Sequence, residues 1–291
     1  MALRVGTHSG SFHADDVLAF ALIRRFVDGE ATVVRTRERA VLETCDVVVD
    51  VGGEYDPDRL RFDHHQGEYR GPRSSAGMVL DWLEQREDVS SEMATLLRRR
   101  MVDYIDAVDT GREAPRVDVP CFARIVETIG QGLTTPEEQQ MGFLQAAEIG
   151  VQVLDGFERG LREVRAAREE VRAAMEAAVA AGRSTIILER YVPWKPVYFE
   201  LGGDHHPTDY MLFPSDGDTW KVVAIPPQFG RFEQKRPLPE SWAGLMGEAL
   251  EAATGEPGAV FCHKNRFVAV FRTREGALSA LRRFGLLEAR G

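Results

Sequence analysis

Histidines and aspartates are concentrated near the start of the chain, where four of its seven histidines fall within the first 65 residues. Imidazole and carboxylate groups together suit divalent first-row metals, and they form a softer set than the oxygen ligands that Mg²⁺ prefers. The candidate ligands are too many for one ion and about right in number for two. In chain order they are His8, His13, Asp15, Asp50, His64, His65, Asp106 and Asp109.

Most of these residues follow segments that have the pattern of β-strands. Residues 3–7, 46–51 and 59–62 are short apolar or alternating runs, and polar or glycine-rich residues follow each of them. In an open α/β sheet, ligands bind at the carboxyl ends of the strands. Asp50 is the most informative position, because a carboxylate that closes a buried apolar strand is costly unless a charge such as a cation compensates it.

Each candidate also has an ordinary structural interpretation, and the pattern alone leaves these alternatives open. The grouping of four such segments is what favours a metal site. The alternatives are helix capping by Asp15 or Asp16, loop positions for His8 and His13, the polar face of a helix for Asp103, Asp106 and Asp109, and a surface turn for Asp63-His64-His65.

The order of predicted elements is typical of an α/β protein with two domains. The first part alternates strands and helices, as in a mainly parallel sheet flanked by helices, and strand-like runs between Pro and Gly turns indicate a smaller α+β domain after it. A junction helix at about residues 157–181, ended by Gly182, predicts domains at 1–182 and 183–291. Predicted strands are residues 3–7, 31–36, 46–51, 59–62, 185–188, 197–201, 220–225, 259–263 and 267–272, and predicted helices are residues 17–27, 74–87, 91–108, 157–181, 242–253 and 275–284, with a further helix start at 135–138.

Composition limits the classes of protein that the chain can represent. Its 291 residues suffice for one large domain or two ordinary ones. The net charge of −10 argues against a generic nucleic-acid-binding surface, but not against an enzyme that binds phosphate through metals and a local basic patch. No run of about 18 apolar residues predicts a membrane span. Three widely separated cysteines and a start without a signal-peptide pattern lead us to expect a reducing, cytoplasmic compartment.

A local basic segment in the second part of the chain is the candidate phosphate-binding surface. Arg236, Arg272 and Arg274 lie at predicted strand ends and turns, where a guanidinium group could donate paired hydrogen bonds to phosphate. Lys235 adds a further positive charge next to Arg236. The string Asp204-His205-His206 repeats the earlier Asp-His-His order without companion ligands, so we interpret it as a surface loop.

Eight segments form a recognisable set: Gly6-Thr7-His8-Ser9-Gly10-Ser11-Phe12-His13-Ala14-Asp15, Asp50-Val51-Gly52-Gly53-Glu54-Tyr55, Asp63-His64-His65, Ser74-Ser75-Ala76-Gly77, Ile105-Asp106-Ala107-Val108-Asp109, Pro193-Trp194-Lys195, Arg236-Pro237-Leu238-Pro239 and Arg272-Thr273-Arg274-Glu275-Gly276-Ala277. They resemble the motifs of the DHH phosphoesterase superfamily, and more closely those of its melanocyte-proliferating-gene (Myg) exonuclease family, over nearly the whole chain. Two positions depart from that family's pattern. His13 replaces the usual first Asp of motif one, and Ala269-Val270-Phe271 stands where a Gly-Gly pair is expected.

The resemblance implies a dinuclear metal centre in a DHH-type N-terminal domain. One ion would be held by His8, His13 and Asp50. The other would be held by Asp15, Asp50, His64 and Asp109, with Asp106 as the alternative to Asp109. The two ions would be Mn²⁺, or else Mg²⁺ or Co²⁺, and would activate a water molecule. His65 would face the substrate phosphate, and Asp63 would orient a histidine.

The activity that the resemblance implies is metal-dependent phosphodiester hydrolysis by a 3′–5′ exoribonuclease or oligoribonuclease, with RNA or short oligonucleotides as the substrate. The C-terminal domain would close over the first and hold the strand between them. Two alternatives are a small-molecule phosphohydrolase acting on pyrophosphate, cyclic dinucleotides or 3′-phosphoadenosine phosphate, and a non-catalytic, metal-stabilised binding protein. The sequence makes no prediction of the oligomeric state.

Overall fold

A computed structural model describes residues 1–289 of the chain. It confirms the predicted α/β class, with two five-stranded mixed sheets that are flanked by helices. The chain divides into two compact units, Met1–Leu161 and Arg162–Gly291, and each unit contains one of the sheets. None of the helices formed by the described residues is both long enough and apolar enough to span a membrane.

The sheet of the first unit is mainly parallel. Its strands are β1 (Arg4–Thr7), β2 (Thr32–Arg35), β3 (Val47–Val49), β4 (Tyr55–Asp56) and β5 (Arg61–Phe62). Their order is β2-β1-β3-β5-β4, and only β4 runs antiparallel to its neighbour. The strands predicted at 3–7, 31–36 and 46–51 are therefore confirmed to within two residues at each end. As a result β1, β3 and β5 lie side by side and end at the same edge.

Helix α1 (Ala14–Phe26) lies at the centre of the first unit's core. Residues 17–23 are all completely buried, which explains why this helix has an unbroken apolar run rather than a single apolar stripe. The helix begins at His13, whose N–H donates to a carboxylate oxygen of Asp16 at 2.8 Å. Asp15 and Asp16 occupy the first turn, where the helix dipole favours negative charge. The start of α1 is thereby fixed beside the end of β1.

The other helices of this unit are α2 (Arg39–Leu42), α3 (Ser75–Gln85), α4 (Ser91–Leu97), α5 (Asp103–Asp109), α6 (Phe122–Gly130) and the first part of α7 (Pro136–Ala180). The helix predicted at 91–108 is present as a continuous helical run with a π-helical segment at Arg98–Val102. There the N–H of Asp103 donates to the carbonyl of Arg98, five residues earlier. This wider turn changes the direction in which the residues of α5 face.

Helix α7 is a single helix of 45 residues, whereas the sequence analysis predicted a start at 135–138 and a separate helix at 157–181. Glycines such as Gly142 and Gly150 lower the helix propensity between those segments. The glycine at position 150 instead serves close packing against α1, because a Cβ there would lie only 3.0 Å from the Cβ of Ala21. Residues up to Leu161 belong to the first unit, and the remainder of the helix belongs to the second.

The second unit contains a mostly antiparallel sheet. Its elements are β6 (Thr185–Ile187), α8 (Trp194–Glu200), β7 (Tyr210–Ser215), β8 (Thr219–Ala224), α9 (Gly247–Thr254), β9 (Ala259–Cys262), β10 (Val268–Phe271) and α10 (Arg274–Arg283). The strand order is β6-β7-β8-β10-β9, in which only β6 and β7 pair in parallel. Tyr210, Trp242 and Phe271 are the largest buried side chains of one of the two hydrophobic clusters that contain residues of this sheet.

One predicted element is wrong, two have shorter bounds in the structure, and two strands were missed. Residues 197–201 form part of α8 rather than a strand, because Trp194, Val197 and Tyr198 are buried at helical spacing. The strand predicted at 59–62 is shorter in the structure, where only Arg61 and Phe62 form β5, because Leu60 adopts a left-handed backbone conformation with φ of 57°. The helix predicted at 242–253 begins only at α9, after a 3-10 turn at Glu240–Trp242. Strands β4 and β7 were not predicted.

Candidate metal centre

Three loops leave neighbouring parallel strands at one edge of the first sheet. His8 follows the end of β1, Asp50 follows β3, and Asp63 follows β5. The carboxyl ends of adjacent parallel strands form the crevice in which open α/β sheets bind ligands. The strand order thus brings together side chains that are up to 55 residues apart in the sequence.

Asp50 lies where these loops meet. The residue is 4% exposed and has a φ of 57°, a left-handed conformation that Asp tolerates better than most residues. Its N–H donates to the carbonyl of Phe62 at 3.0 Å, which ties its loop to β5. Its Oδ2 lies 3.3 Å from Nε2 of His8, and its Oδ1 accepts a hydrogen bond from Oγ of Ser75 at 3.3 Å. Both carboxylate oxygens therefore point into the cluster.

Three sets of residues could each hold a metal ion, since the potential ligand atoms within a set lie within 4.8 Å of one another. The sets are His8, His13 and Asp50; Asp15, Asp50, His64 and Asp109; and Asp50, Asp63, His64 and His65. Asp50 is common to all three. The structure thus brings together all the residues proposed from the sequence as metal ligands except Asp106.

The carboxylate of Asp15 indicates most clearly that this cluster suits a cation. The residue is 1% exposed, yet neither of its oxygens has a hydrogen-bond partner among residues 1–289. Burial, followed by repulsion from Asp50 and Asp109, raises the pKa of Asp15 well above its usual range. A buried carboxylate without a partner costs several kcal/mol, and a coordinated divalent cation would remove that cost. The donor set therefore fits a divalent metal ion.

The imidazoles of the cluster lie against its carboxylates. Burial lowers the pKa of His8, but hydrogen bonds to Asp16 and Asp50, at 3.2 and 3.3 Å, outweigh burial and raise it to about 10. Burial also lowers the pKa of His64, but Nε2 of His64 lies 2.9 Å from Asp109, and that hydrogen bond raises the pKa above its usual value. The site therefore favours positive charge at these nitrogens, whether it is carried by a proton or by a metal ion.

Asp63 organises the loop after β5 through both of its oxygens. Oδ1 lies 2.8 Å from Nδ1 of His65, and Oδ2 accepts a hydrogen bond from the N–H of Gly53 at 2.6 Å. Gly53 has a φ of 70°, so this turn requires a residue that tolerates the left-handed region. The side chain of His65 remains 62% exposed and lies 3.5 Å from Asp50. His65 thus has a fixed ring orientation together with access to solvent.

Asp106 lies outside the ligand sets, although it is completely buried. Its Oδ1 accepts hydrogen bonds from the N–H and hydroxyl of Ser74, at 3.0 and 2.8 Å, and its Oδ2 lies 3.2 Å from the guanidinium group of Arg73. A Cβ on Gly77 would collide with this carboxylate. Asp106 therefore anchors the start of α3, and it is Asp109 that faces His64.

Three further residues contact or line the cluster. The sequence analysis did not propose them as ligands or substrate contacts. Asp16, for which helix capping was the alternative, lies 3.2 Å from His8, and Ser75 donates a hydrogen bond to Asp50. Arg37 lines the cleft of about 330 Å³ that also contains His8 and His65. The position of Arg37 two residues after β2, at the same sheet edge, is the signal that could have identified it.

The four basic residues proposed for phosphate binding lie in the second unit. Nη1 of Arg236 donates to the carbonyl of Gly285 at 3.0 Å, and Nη2 of Arg274 donates to Glu189 at 2.8 Å. Arg272 is exposed. Lys235 is enclosed by acceptors: its ammonium group lies 2.6 Å from the carbonyl of Gly203, 2.8 Å from that of His206 and 3.0 Å from the hydroxyl of Tyr198. Burial lowers the pKa of Lys235.

The chain is similar to the proteins of one family over almost all its length. The family described as "Uncharacterised protein family (UPF0160)", whose model is labelled MYG1_exonuc, matches residues 4–283. A "MYG1 protein" of Chlamydia muridarum is 38% identical over 283 residues, which cover 95% of this chain and 94% of the relative. The "MYG1 exonuclease" of Homo sapiens is 32% identical over 318 residues, covering 96% and 85%. A "MYG1 protein" of Dictyostelium discoideum is 31% identical over 310 residues, covering 95% and 94%.

Proposed function

This chain belongs to the MYG1 family (UPF0160), and from that premise we propose that it is a metal-dependent phosphodiesterase that shortens RNA or short oligonucleotides from the 3′ end. The single observation that carries the proposal is the sharing of Asp50 by three ligand sets beside the unpartnered carboxylate of Asp15. The mammalian relatives named exonuclease support a nuclease rather than another hydrolase. The proposal includes membership of the DHH phosphoesterase superfamily.

Two ions are proposed, with Mn²⁺ as the first choice because the ligands combine imidazole with carboxylate. One would be held by His8, His13 and Asp50, and the other by Asp15, Asp50, His64 and Asp109. When bound, such a pair supplies an activated water and neutralises charge on the phosphate. This assignment uses Asp109 rather than Asp106, because Asp106 is already occupied by Ser74 and Arg73.

The protein's own groups then act on the leaving side of the phosphate. As the bond between phosphorus and the leaving oxygen breaks, His65 is proposed to donate a proton to that oxygen. Its exposed ring can reach a substrate, and its contact of 2.8 Å with Asp63 holds the ring in one orientation. Asp63 is therefore a positioning residue, and Arg37 supplies positive charge at the same cleft.

The second unit is proposed to bind the rest of the strand. Arg272 is the first choice for a phosphate contact because it is exposed, and Arg236 and Arg274 each keep further guanidinium N–H groups beyond the hydrogen bond described above. The ammonium of Lys235 is already surrounded by three acceptors, which supports a structural role for it. A few local contacts of this kind are compatible with a chain whose net charge is −10.

The test is to incubate the purified full chain with Mn²⁺, Mg²⁺ or Co²⁺, or with a chelator. The substrates are a 5′-labelled short RNA, a DNA of the same sequence, pyrophosphate, and methyl p-nitrophenyl phosphate. We expect a metal-dependent ladder of RNA fragments shortened from the 3′ end. Release of phosphate from pyrophosphate alone would favour a small-molecule phosphohydrolase. Metal binding without turnover of any substrate would favour a binding protein.

A further inference from the structure

A second pocket adjoins the candidate metal centre. Its volume is about 420 Å³, and its walls come from the start of α1, from α5 and α6, and from the loop and first turn of α7. His13, Asp15 and Asp109 line this pocket and also belong to the ligand sets described above. A group bound at the metal centre could therefore extend directly into the pocket. No residue of the pocket belongs to the second unit.

The walls away from the metal ligands are largely apolar and carry little net charge. The one guanidinium group among the lining residues, that of Arg124, is hydrogen-bonded to the carboxylate of Glu127. Tyr104 contributes a hydroxyl group that accepts a hydrogen bond from the N–H of Arg116 at 2.7 Å. The apolar lining includes Phe12, Ala14, Ile105, Val108, Pro115, Ala123 and Leu133.

The apolar wall is built into the fold. Phe12 packs edge-on against Phe143, with ring centroids 5.9 Å apart and an interplanar angle of 87°. A Cβ on Gly142 would collide with Leu133 and would lie 3.1 Å from Phe12. Gly142 thus allows both side chains to lie against α7, so the pocket is formed before any ligand binds. Preformed pockets of this size, with apolar walls and a few polar groups, are typical sites for small molecules.

We propose that this pocket binds the terminal nucleoside of the substrate, that is, the base and sugar attached to the phosphate at the metal centre. The inference rests on the proposed function and specifies which part of the strand occupies which part of the site. A nucleoside is uncharged, which suits apolar walls. A continuing strand would bring a second phosphate against these apolar walls, where the one guanidinium group among the lining residues lies beside the carboxylate of Glu127. The pocket therefore selects a chain end and makes the enzyme an exonuclease.

The test compares two phenylalanine substitutions on the same helix, α6. Ala123→Phe places a ring in the pocket, whereas Ile125→Phe changes a side chain that is 44% exposed and lies outside the lining. For each protein, kcat/KM is measured for a dinucleotide and for methyl p-nitrophenyl phosphate, which has no nucleoside. Relative to the wild type, we expect Ala123→Phe to lower the ratio of the two values about 10- to 100-fold, the usual effect of a blocked apolar subsite. Ile125→Phe should keep the wild-type ratio.

A second measurement needs no variant and so does not depend on the folding of Ala123→Phe. The wild type is given oligonucleotides that lack the base of one terminal nucleotide, at either the 3′ or the 5′ end. A fall in kcat/KM for the strand that lacks its 3′ base supports the proposal, whereas a fall for the 5′ base alone would support the pocket but contradict the proposed 3′ direction of hydrolysis. Equal hydrolysis of both and of the intact strand, or an unchanged ratio in Ala123→Phe, would overturn it. If no phosphodiester is hydrolysed with any metal, the proposed function itself fails.

Discussion

Two groups of buried carboxylates in the first unit show how differently the fold can treat the same chemical group. Asp106 is held by the N–H and hydroxyl of Ser74 and by the guanidinium group of Arg73, which also reaches Asp81 and Asp103 at 3.1 Å each. Asp15 is equally buried, but its oxygens have no hydrogen-bond partner in the described part of the chain. Burial alone therefore does not identify a metal ligand. The lack of a compensating positive charge is what makes Asp15 a candidate metal ligand.

The pKa directions express the same difference. Burial raises the pKa of Asp106, while hydrogen bonds from Ser74 and Arg73 oppose the shift. Burial likewise raises the pKa of Asp15, but there the neighbouring carboxylates of Asp50 and Asp109 add to it. The first arrangement is complete without an ion, and the second becomes stable only when positive charge is supplied. We call Asp106 and the two other aspartates that contact Arg73, Asp81 and Asp103, the arginine-paired carboxylates. We call Asp15, Asp50 and Asp109 the metal-site carboxylates. Four predictions test the distinction.

The largest expected effect is that of Asp50→Asn. Because Asp50 belongs to every ligand set, the variant should lose both metal equivalents and all detectable hydrolysis, a fall of about 10⁴-fold or more. Elemental analysis of the purified protein measures the first result, and the ribonuclease assay measures the second. The matched control is Asp58→Asn, the same change at an exposed aspartate outside the ligand sets. Two equivalents of metal in a folded Asp50→Asn protein would contradict the model.

The second prediction concerns His65→Ala, which should keep the metal and lose rate. The ring of His65 is 62% exposed and is assigned to the substrate rather than to an ion, so that a missing general acid should lower kcat by about 10²- to 10⁴-fold. His205→Ala is the control, because His205 lies in the second Asp-His-His string, outside the ligand sets, and its side chain is 91% exposed. Loss of one metal equivalent from His65→Ala, but not from His64→Ala, would reverse the assignment of the two histidines.

The third prediction compares two aspartates that lie three residues apart on α5. Asp106→Asn should lower the free energy of unfolding by about 3–5 kcal/mol, because it breaks a buried ion pair with Arg73, while the folded protein keeps its metal. Asp109→Asn should lower the metal-free stability less than Asp106→Asn does, because the amide oxygen of an asparagine can still accept a hydrogen bond from Nε2 of His64, and it should lose one metal equivalent. Urea unfolding and elemental analysis on both proteins provide the measurements. The reverse pattern would mean that the arginine-paired carboxylates contain the metal ligand.

The sequence was sufficient to identify the strand ends but not the partners of each side chain. Asp63-His64-His65 and Asp204-His205-His206 have the same order of residues, and what separates them is the element that precedes each one. The first string follows β5, next to β3 and its Asp50, so it enters the cluster. The second follows α8 in a turn, where Nδ1 of His206 lies 2.8 Å from Thr208. Apolar runs before His8, Asp50 and Asp63 therefore predicted most of the candidate site.

The choice between Asp106 and Asp109 depends on packing that no local pattern records. Both residues lie on the same helix, and their directions are set by the π-helical segment at Arg98–Val102. The contact of Asp106 with Ser74 also requires Gly77 on a different helix. Similarly, the apolar run at 197–201 is compatible with either a strand or a buried helix, and only the core around Trp194 decides between them. These contacts join residues that are far apart in the sequence, so a short segment of sequence taken alone does not predict them.

The smallest expected effect, and the one that separates the two groups of carboxylates most directly, is that of Asp15→Asn in the metal-free protein. The folded-state pKa of Asp15 lies above its unfolded value. Its contribution to stability is therefore fully present at pH values below the unfolded pKa, and it is lost as the pH rises through the folded pKa. An asparagine does not ionise and does not incur this loss. It also offers an amide donor to the neighbouring carboxylates.

In a chelator, Asp15→Asn should therefore match the wild type at about pH 4 and exceed its free energy of unfolding by about 1–3 kcal/mol at pH 8, the usual cost of an unsatisfied buried polar group. With Mn²⁺ at about 100 times its dissociation constant, the wild type should gain about 2.7 kcal/mol for each ion that it binds. The variant should gain less, so that the order of stability reverses. Asp58→Asn should follow the wild type in all conditions. A metal-free Asp15→Asn protein that is less stable than the wild type at pH 8 would show that Asp15 has a structural partner. It would then belong with Asp106 among the carboxylates that need no ion.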